Sequence, residues 1–180
     1  MVHAHGGPGA EAAARAGVTS IEHGLFLDGA ALGAMQECGT VFVPTLLASA
    51  RLVDHAGTEV DAERMRTVAQ GHRAVVREAH RLGVTIAMGT DCPVVAHGRN
   101  LEELSLLADC GLSPTEALVA ATSSAARLLE IEEEIGTVEP GKRADLVLVT
   151  GDVLQVATIG QRIDSVYRDG VRVRPFAESR

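Results

Sequence analysis

One short pattern recurs three times along the chain and restricts its fold more than any other feature. A helix-like stretch ends in glycine, a brief β-branched run follows, and polar residues close the unit. The copies are Ala16-Gly17-Val18-Thr19-Ser20-Ile21-Glu22-His23, Cys38-Gly39-Thr40-Val41-Phe42-Val43-Pro44-Thr45 and Leu82-Gly83-Val84-Thr85-Ile86-Ala87-Met88-Gly89-Thr90-Asp91. Glycine just past a helix takes the left-handed cap conformation at little cost. The run after it is short, continuous and β-rich, which reads as a buried strand. Strands alternating with helices predict an α/β fold with a parallel sheet and helices packed on it.

The helices are legible from their caps and apolar faces. Asp28 is placed to cap a helix presenting Ala31, Leu32, Met35 and Cys38. A longer helix from about Asp61 to Leu82 sets Met65, Val68, Val75, Val76, Ala79 and Leu82 near one face. His72 and His80 fall within it and read as surface or packing residues. Asn100 and Glu103 have capping-box spacing, and Ser113-Pro114-Thr115-Glu116 is a stronger helix start. Leu46 to Val60 reads as a loop. After about residue 135 the pattern changes. Ala144 to Val149 reads as a strand, and Ile163 to Arg168 with Val171 to Arg174 reads as a hairpin around Asp169-Gly170. The expected division is therefore 1–134 for the α/β part and 135–180 for a small β module.

Composition narrows the function classes. The chain of 180 residues has 16 basic and 24 acidic side chains, a formal charge of −8. That argues against nucleic-acid binding, which favours basic surfaces. Aromatics are 2% with no Trp, so base-stacking platforms are not expected. No apolar run has the length of a membrane span, and Met1 to Gly6 has neither segment of a signal peptide. Cys38, Cys92 and Cys110 are odd in number and far apart, as expected for reduced thiols in a cytoplasmic protein.

Parallel α/β sheets collect functional residues at the C-terminal ends of their strands. His3, His23 and Asp91 fall at such positions. Two imidazoles and a carboxylate suit a divalent metal, zinc above all, able to activate water at neutral pH. No GxSxG, P-loop, GxGxxG or HExxH motif occurs.

The order of the motifs then becomes specific. Val2-His3-Ala4-His5-Gly6, Ser20-Ile21-Glu22-His23-Gly24 and Gly89-Thr90-Asp91 resemble the fifth, sixth and eighth strands of the amidohydrolase superfamily, in its imidazolonepropionase-like and prolidase-like branch. His97 to Leu104 resembles the loop and helix after the eighth strand. Gly136-Thr137-Val138-Glu139-Pro140-Gly141-Lys142-Arg143-Ala144-Asp145 resembles the tail returning to a small β domain. The resemblance implies a partial TIM-type (β/α) barrel followed by part of a β-sandwich. It implies His3 and His23 as ligands of one metal. It implies Asp91 as ligand of a second metal and as the group relaying a proton from water to the leaving nitrogen. His5 and His97 are candidate substrate contacts, and Cys92 adjoins the site.

The chain departs from the family pattern upstream. It has no His-x-His unit of a first strand and no lysine of a fourth, its single Lys142 lying in the tail motif. A complete barrel needs about 250 residues. The expectation is the C-terminal half of an enzyme that hydrolyses small amide or dipeptide-like C–N bonds, not fully active alone. A deaminase half is a weaker alternative, because the glutamate such enzymes carry after the fifth-strand histidine is missing. A non-catalytic α/β module that self-associates through an open half-barrel is a third.

Overall fold

The computed structural model describes residues 1–173. The expected α/β chain is present. Strand β1 (Val2–Gly6) leads into α1 (Gly7–Arg15), and β2 (Ser20–Phe26) into α2 (Gly29–Cys38). Strand β3 (Val41–Val43) then precedes a short α3 (Leu46–Ala50), a 3-10 turn (Leu52–His55) and the long α4 (Glu59–Arg81). The sheet is parallel in the order β1-β2-β3. Gly17, Gly39 and Gly83, the three punctuating glycines, are all left-handed.

Two elements differ from expectation. The run from Val84 to Met88 forms no full strand. It joins β3 by a single parallel bridge, Phe42 to Ile86, supported by Phe42 N–H to Thr85 O and Ala87 N–H to Phe42 O. Among the described residues it has no strand on its other side, and Met88 N–H turns instead to Ala120 O. The stretch read as a loop after Thr45 is α3 and the 3-10 turn, with Leu46, Leu47 and Ser49 buried.

The core lies between the sheet and its helices and is centred on Ile21, Leu32, Met35, Phe42, Val76 and Leu107. Asp28 caps α2 by accepting from Ala31 N–H, as expected, but Cys38 is exposed at the helix end. In α4 the buried residues are Ala62, His72, Val76 and Ala79, so a histidine sits on the apolar face.

Helices α5 (Glu102–Asp109), α6 (Pro114–Ala121) and α7 (Ser123–Leu128) follow. The capping box of α6 is fully formed between Ser113 and Glu116. The tail folds as an antiparallel sheet, β4 (Leu146–Val149), β5 (Ile163–Arg168) and β6 (Val171–Val173). Asp169 and Gly170 both have positive φ, as a two-residue hairpin of this type requires. The Asp145 carboxylate accepts from Asp169 N–H, which explains an aspartate at that point of the tail motif. Between β4 and β5 a 3-10 helix (Val156–Arg162) returns to α5 and buries Val156 and Ile159 in the main core. Arg174, expected to end the hairpin, lies outside the described residues, and no described helix is long and apolar enough to cross a membrane.

Candidate functional site

Strand β1 places His3 and His5 two residues apart, hence on one face. Their ring centroids are 4.5 Å apart, edge to face. His23 joins them, 4.7 Å from His3 and 5.4 Å from His5. Strand pairing alone does not predict this. His23 is paired with Ala4, so regular alternation would turn its side chain away from His3 and His5. The backbone of His23 is left-handed, φ 67°, and the pairing register slips between Ala4 and Gly6. Alternation breaks at that residue, and the ring swings into the cluster.

Left-handed non-glycine backbone is concentrated at this end of the sheet. Of five such residues, His23 lies within β2 just past its pairing with β3, and Thr45 (φ 51°) and Asp91 (φ 56°) follow the parallel β segments ending at Val43 and near Met88. Conformations of this kind cost about 1–3 kcal/mol each and gather at functional sites.

The His23 ring is held by Thr45, whose Oγ1 lies 2.8 Å from its Nδ1. Thr45 occupies the N-cap position of α3, yet its side chain makes no cap bond. The cap comes instead from Glu103 on α5. The two carboxylate oxygens of Glu103 accept from Leu46 N–H and Leu47 N–H, both at 2.7 Å. Glu103 is fully buried, and burial pushes its pKa up to about 7 despite the two amide donors. This corrects the expected pairing of Glu103 with Asn100. Glu103 faces inward, and α5 has no side-chain cap.

A second support reaches His23 from α4. His72 is fully buried, with Nδ1 2.8 Å from Ser49 Oγ and Nε2 2.7 Å from the carbonyl oxygen of His23. Burial drives its pKa down to about 4, so the ring is neutral at neutral pH. No motif assigned His72 or Thr45 to the site, and the motif that marked Glu103 gave it only as a local helix cap. The spacing of His72 with Val76 and Ala79 did carry a signal, since it places the imidazole on the apolar face of α4.

Of the five candidates, the structure brings His3, His5 and His23 together. Asp91 is exposed, at the same end of the sheet but on the segment beyond β3. Two strand spacings, about 10 Å, separate that segment from β2. His97 is exposed in the following loop. Cys92 meets Thr90, with Sγ 3.4 Å from Oγ1.

The fit of a metal is testable on the donors themselves. His5 is held below the usual imidazole range, first by burial and then by His3 and His23. Its Nδ1 is buried without a hydrogen-bond partner, the sole such side-chain atom among the described residues. Neutral imidazoles with an unpartnered nitrogen are suitable donors for a borderline divalent ion. The set is incomplete, however: among the described residues no three His, Cys, Asp or Glu side chains stand at the spacing of a closed metal site. A cavity of about 600 Å³ opens elsewhere, between α3, α5 and the second 3-10 helix. Its charged groups, Arg51, Arg99 and Glu102, are already bonded to one another.

Known proteins resemble the chain over most of its length. The chain superimposes on a Xaa-Pro dipeptidase solved with methionine in its active site, with a TM-score of 0.87 and 36% identity over 96% of this chain and 44% of that one. Aspergillus niger ochratoxinase matches with a TM-score of 0.78 and 27% identity over 94% of this chain and 40% of that one. An imidazolonepropionase of Symbiobacterium thermophilum is 34% identical over 149 residues, 79% of this chain and 30% of the relative. The chain thus spans less than half the length of these relatives. Residues 1–173 match the model of the amidohydrolase family. The chain belongs to that family.

Proposed function

We propose that the chain carries part of the catalytic centre of a metal-dependent hydrolase acting on small amide or dipeptide-like C–N bonds. The observation that carries this reading is the convergence of His3, His5 and His23 at the C-terminal end of a parallel sheet, with left-handed backbone at His23 and Asp91. The family and the dipeptidase likeness support hydrolysis. In this reading residues 1–134 are the later half of a (β/α) barrel, and 135–180 belong to a small β-sandwich. The coverage of relatives supports the barrel assignment, since 96% of the chain occupies 44% of the dipeptidase.

His3 and His23 would hold one divalent ion, zinc being the first choice for imidazole donors. When bound, such an ion supplies Lewis acidity and lowers the pKa of water. Thr45 fixes the His23 tautomer by occupying Nδ1, which leaves Nε2 for the ion. Asp91 would hold a second divalent ion, and its carboxylate accepts the proton of the attacking water and returns it to the departing nitrogen, base first and acid second. His5 and His97 contact substrate. The remaining ligands belong to sequence this chain does not contain, so the chain alone is expected to hydrolyse its substrates poorly.

Metal analysis of protein purified without chelator, alongside His23→Ala and Asp91→Ala, tests this. Bound zinc that falls in the variants is expected. Zinc absent, or unmoved by both substitutions, would overturn the metal site. Hydrolysis by the 180-residue protein at rates matching full-length relatives would overturn its incompleteness.

A further inference from the structure

His72 has no part in the chemistry just described, yet it is a fully buried polar residue on the apolar face of α4, in line with Val76 and Ala79. An apolar side chain would pack there without any need for hydrogen-bond partners. The partners it has are informative. The carbonyl oxygen of His23 can only accept, so the proton of the 2.7 Å contact sits on Nε2 of His72. Ser49 has one hydroxyl proton and two acceptors in reach, Leu46 O at 2.9 Å and His72 Nδ1 at 2.8 Å. If that proton went to Leu46, Nδ1 would need its own, and a buried imidazolium would result. Ser49 therefore donates to Nδ1, and His72 is the neutral Nε2–H tautomer.

The bond from Nε2–H ends on the residue whose φ is 67°. A left-handed backbone with a β-carbon persists only where its surroundings hold it. Thr45 holds the ring of this residue and His72 holds its peptide carbonyl. Without the second hold, His23 can relax to extended backbone, and strand alternation then turns its ring away from His3 and His5.

We propose that His72 is a positioning residue: its Nε2–H bond to the His23 carbonyl keeps that backbone left-handed and so delivers the His23 ring to the imidazole cluster. The consequence for metal binding rests on His23 being a ligand, as proposed above; the consequence for the backbone does not.

Two polar replacements separate the contacts. His72→Gln extends an amide N–H towards the position of Nε2 and can still reach the His23 carbonyl. His72→Asn is shorter and keeps only the Ser49 side. The ¹³Cα and ¹³Cβ shifts of His23 report its φ in metal-free protein. Affinity for Co²⁺, the metal alone, is read by competition with a chelator. The left-handed signature and the wild-type affinity are expected to survive in His72→Gln. In His72→Asn the signature is expected to vanish and affinity to fall about 10-fold or more, the usual effect of removing an outer hydrogen bond from a ligand. A folded His72→Asn that retains both overturns the proposal. The imidazole ¹⁵N shifts of His72 in wild-type protein give a check that needs no variant: a neutral Nδ1–H tautomer, which leaves Nε2 with no proton to donate, overturns it as well. If wild-type protein takes up no Co²⁺ sensitive to His3→Ala or His23→Ala, the ligand reading fails, while the His23 shifts still decide the role of His72.

Discussion

The hydroxyl of Thr45 stands where it could cap α3 and bonds the His23 ring instead. Thr45→Val keeps the volume and removes the hydroxyl. A stability loss of about 1 kcal/mol in urea unfolding is expected. The His23 tautomer, read by imidazole ¹⁵N shifts, is expected to lose its preference. Unchanged shifts would show that Thr45 does not orient the ring. Glu103 makes that use of Thr45 possible by capping α3 from 57 residues away, and it carries a pH signature. Its pKa is raised from 4.5 to about 7, so between these values the folded chain binds a proton that the unfolded chain releases. Its contribution to stability is full below 4.5 and is lost as pH rises through 7. The stability of wild type relative to Glu103→Gln is therefore expected to fall by on the order of 3 kcal/mol between pH 4 and pH 8. Urea unfolding of both proteins at the two pH values checks it, and a constant difference would refute the burial argument. His3 and His23 stood out in the sequence as candidates because imidazoles at strand ends are conspicuous, and the structure brings their rings within 4.7 Å. Thr45, His72 and Glu103 did not, because each acts on a residue 22 to 57 positions away.

Whether an element was legible depended on where its cap comes from. Helix α6 begins with Ser113-Pro114-Thr115-Glu116, and all of its capping partners lie within those four residues. Ser113→Ala removes the hydroxyl that accepts from Glu116 N–H and is expected to cost about 1 kcal/mol in thermal or urea unfolding. A loss near zero would mean that proline and glutamate start the helix unaided. Helix α3 has five residues and takes its cap from α5, so local pattern showed only irregular chain. The same distance effect misassigned Glu103, whose spacing from Asn100 satisfies the box but whose carboxylate is drawn to two unpaired amides in the core. The run from Val84 to Met88 fails in the opposite sense. Its composition is that of a buried strand, but a ladder needs neighbours, and a single bridge to Phe42 is what the described chain supplies.

At the scale of the molecule, the alternation of helix and strand was correctly read, and the surfaces it leaves uncovered shape the behaviour of the whole chain. Among the described residues, strand β1 has a sheet neighbour on one side only. The tail sheet exposes Val147, Leu148, Val171 and Val173, with Val171 69% accessible. Open sheet edges bearing apolar side chains are templates for pairing, and soluble monomers usually blunt them with charge. Strand β6 carries a single charge, Arg172, and the antiparallel partner positions Val166 and Arg168 carry one more between them. The isolated chain is therefore expected to self-associate in a concentration-dependent manner, measured by sedimentation velocity. Val171→Lys places a charge on the last described strand at a largely exposed position, so it is expected to weaken association while far-UV circular dichroism stays unchanged. A wild-type chain that sediments as a monomer across a wide concentration range would contradict this. Association untouched by Val171→Lys would move the contact away from the tail sheet, towards the free edge of β1.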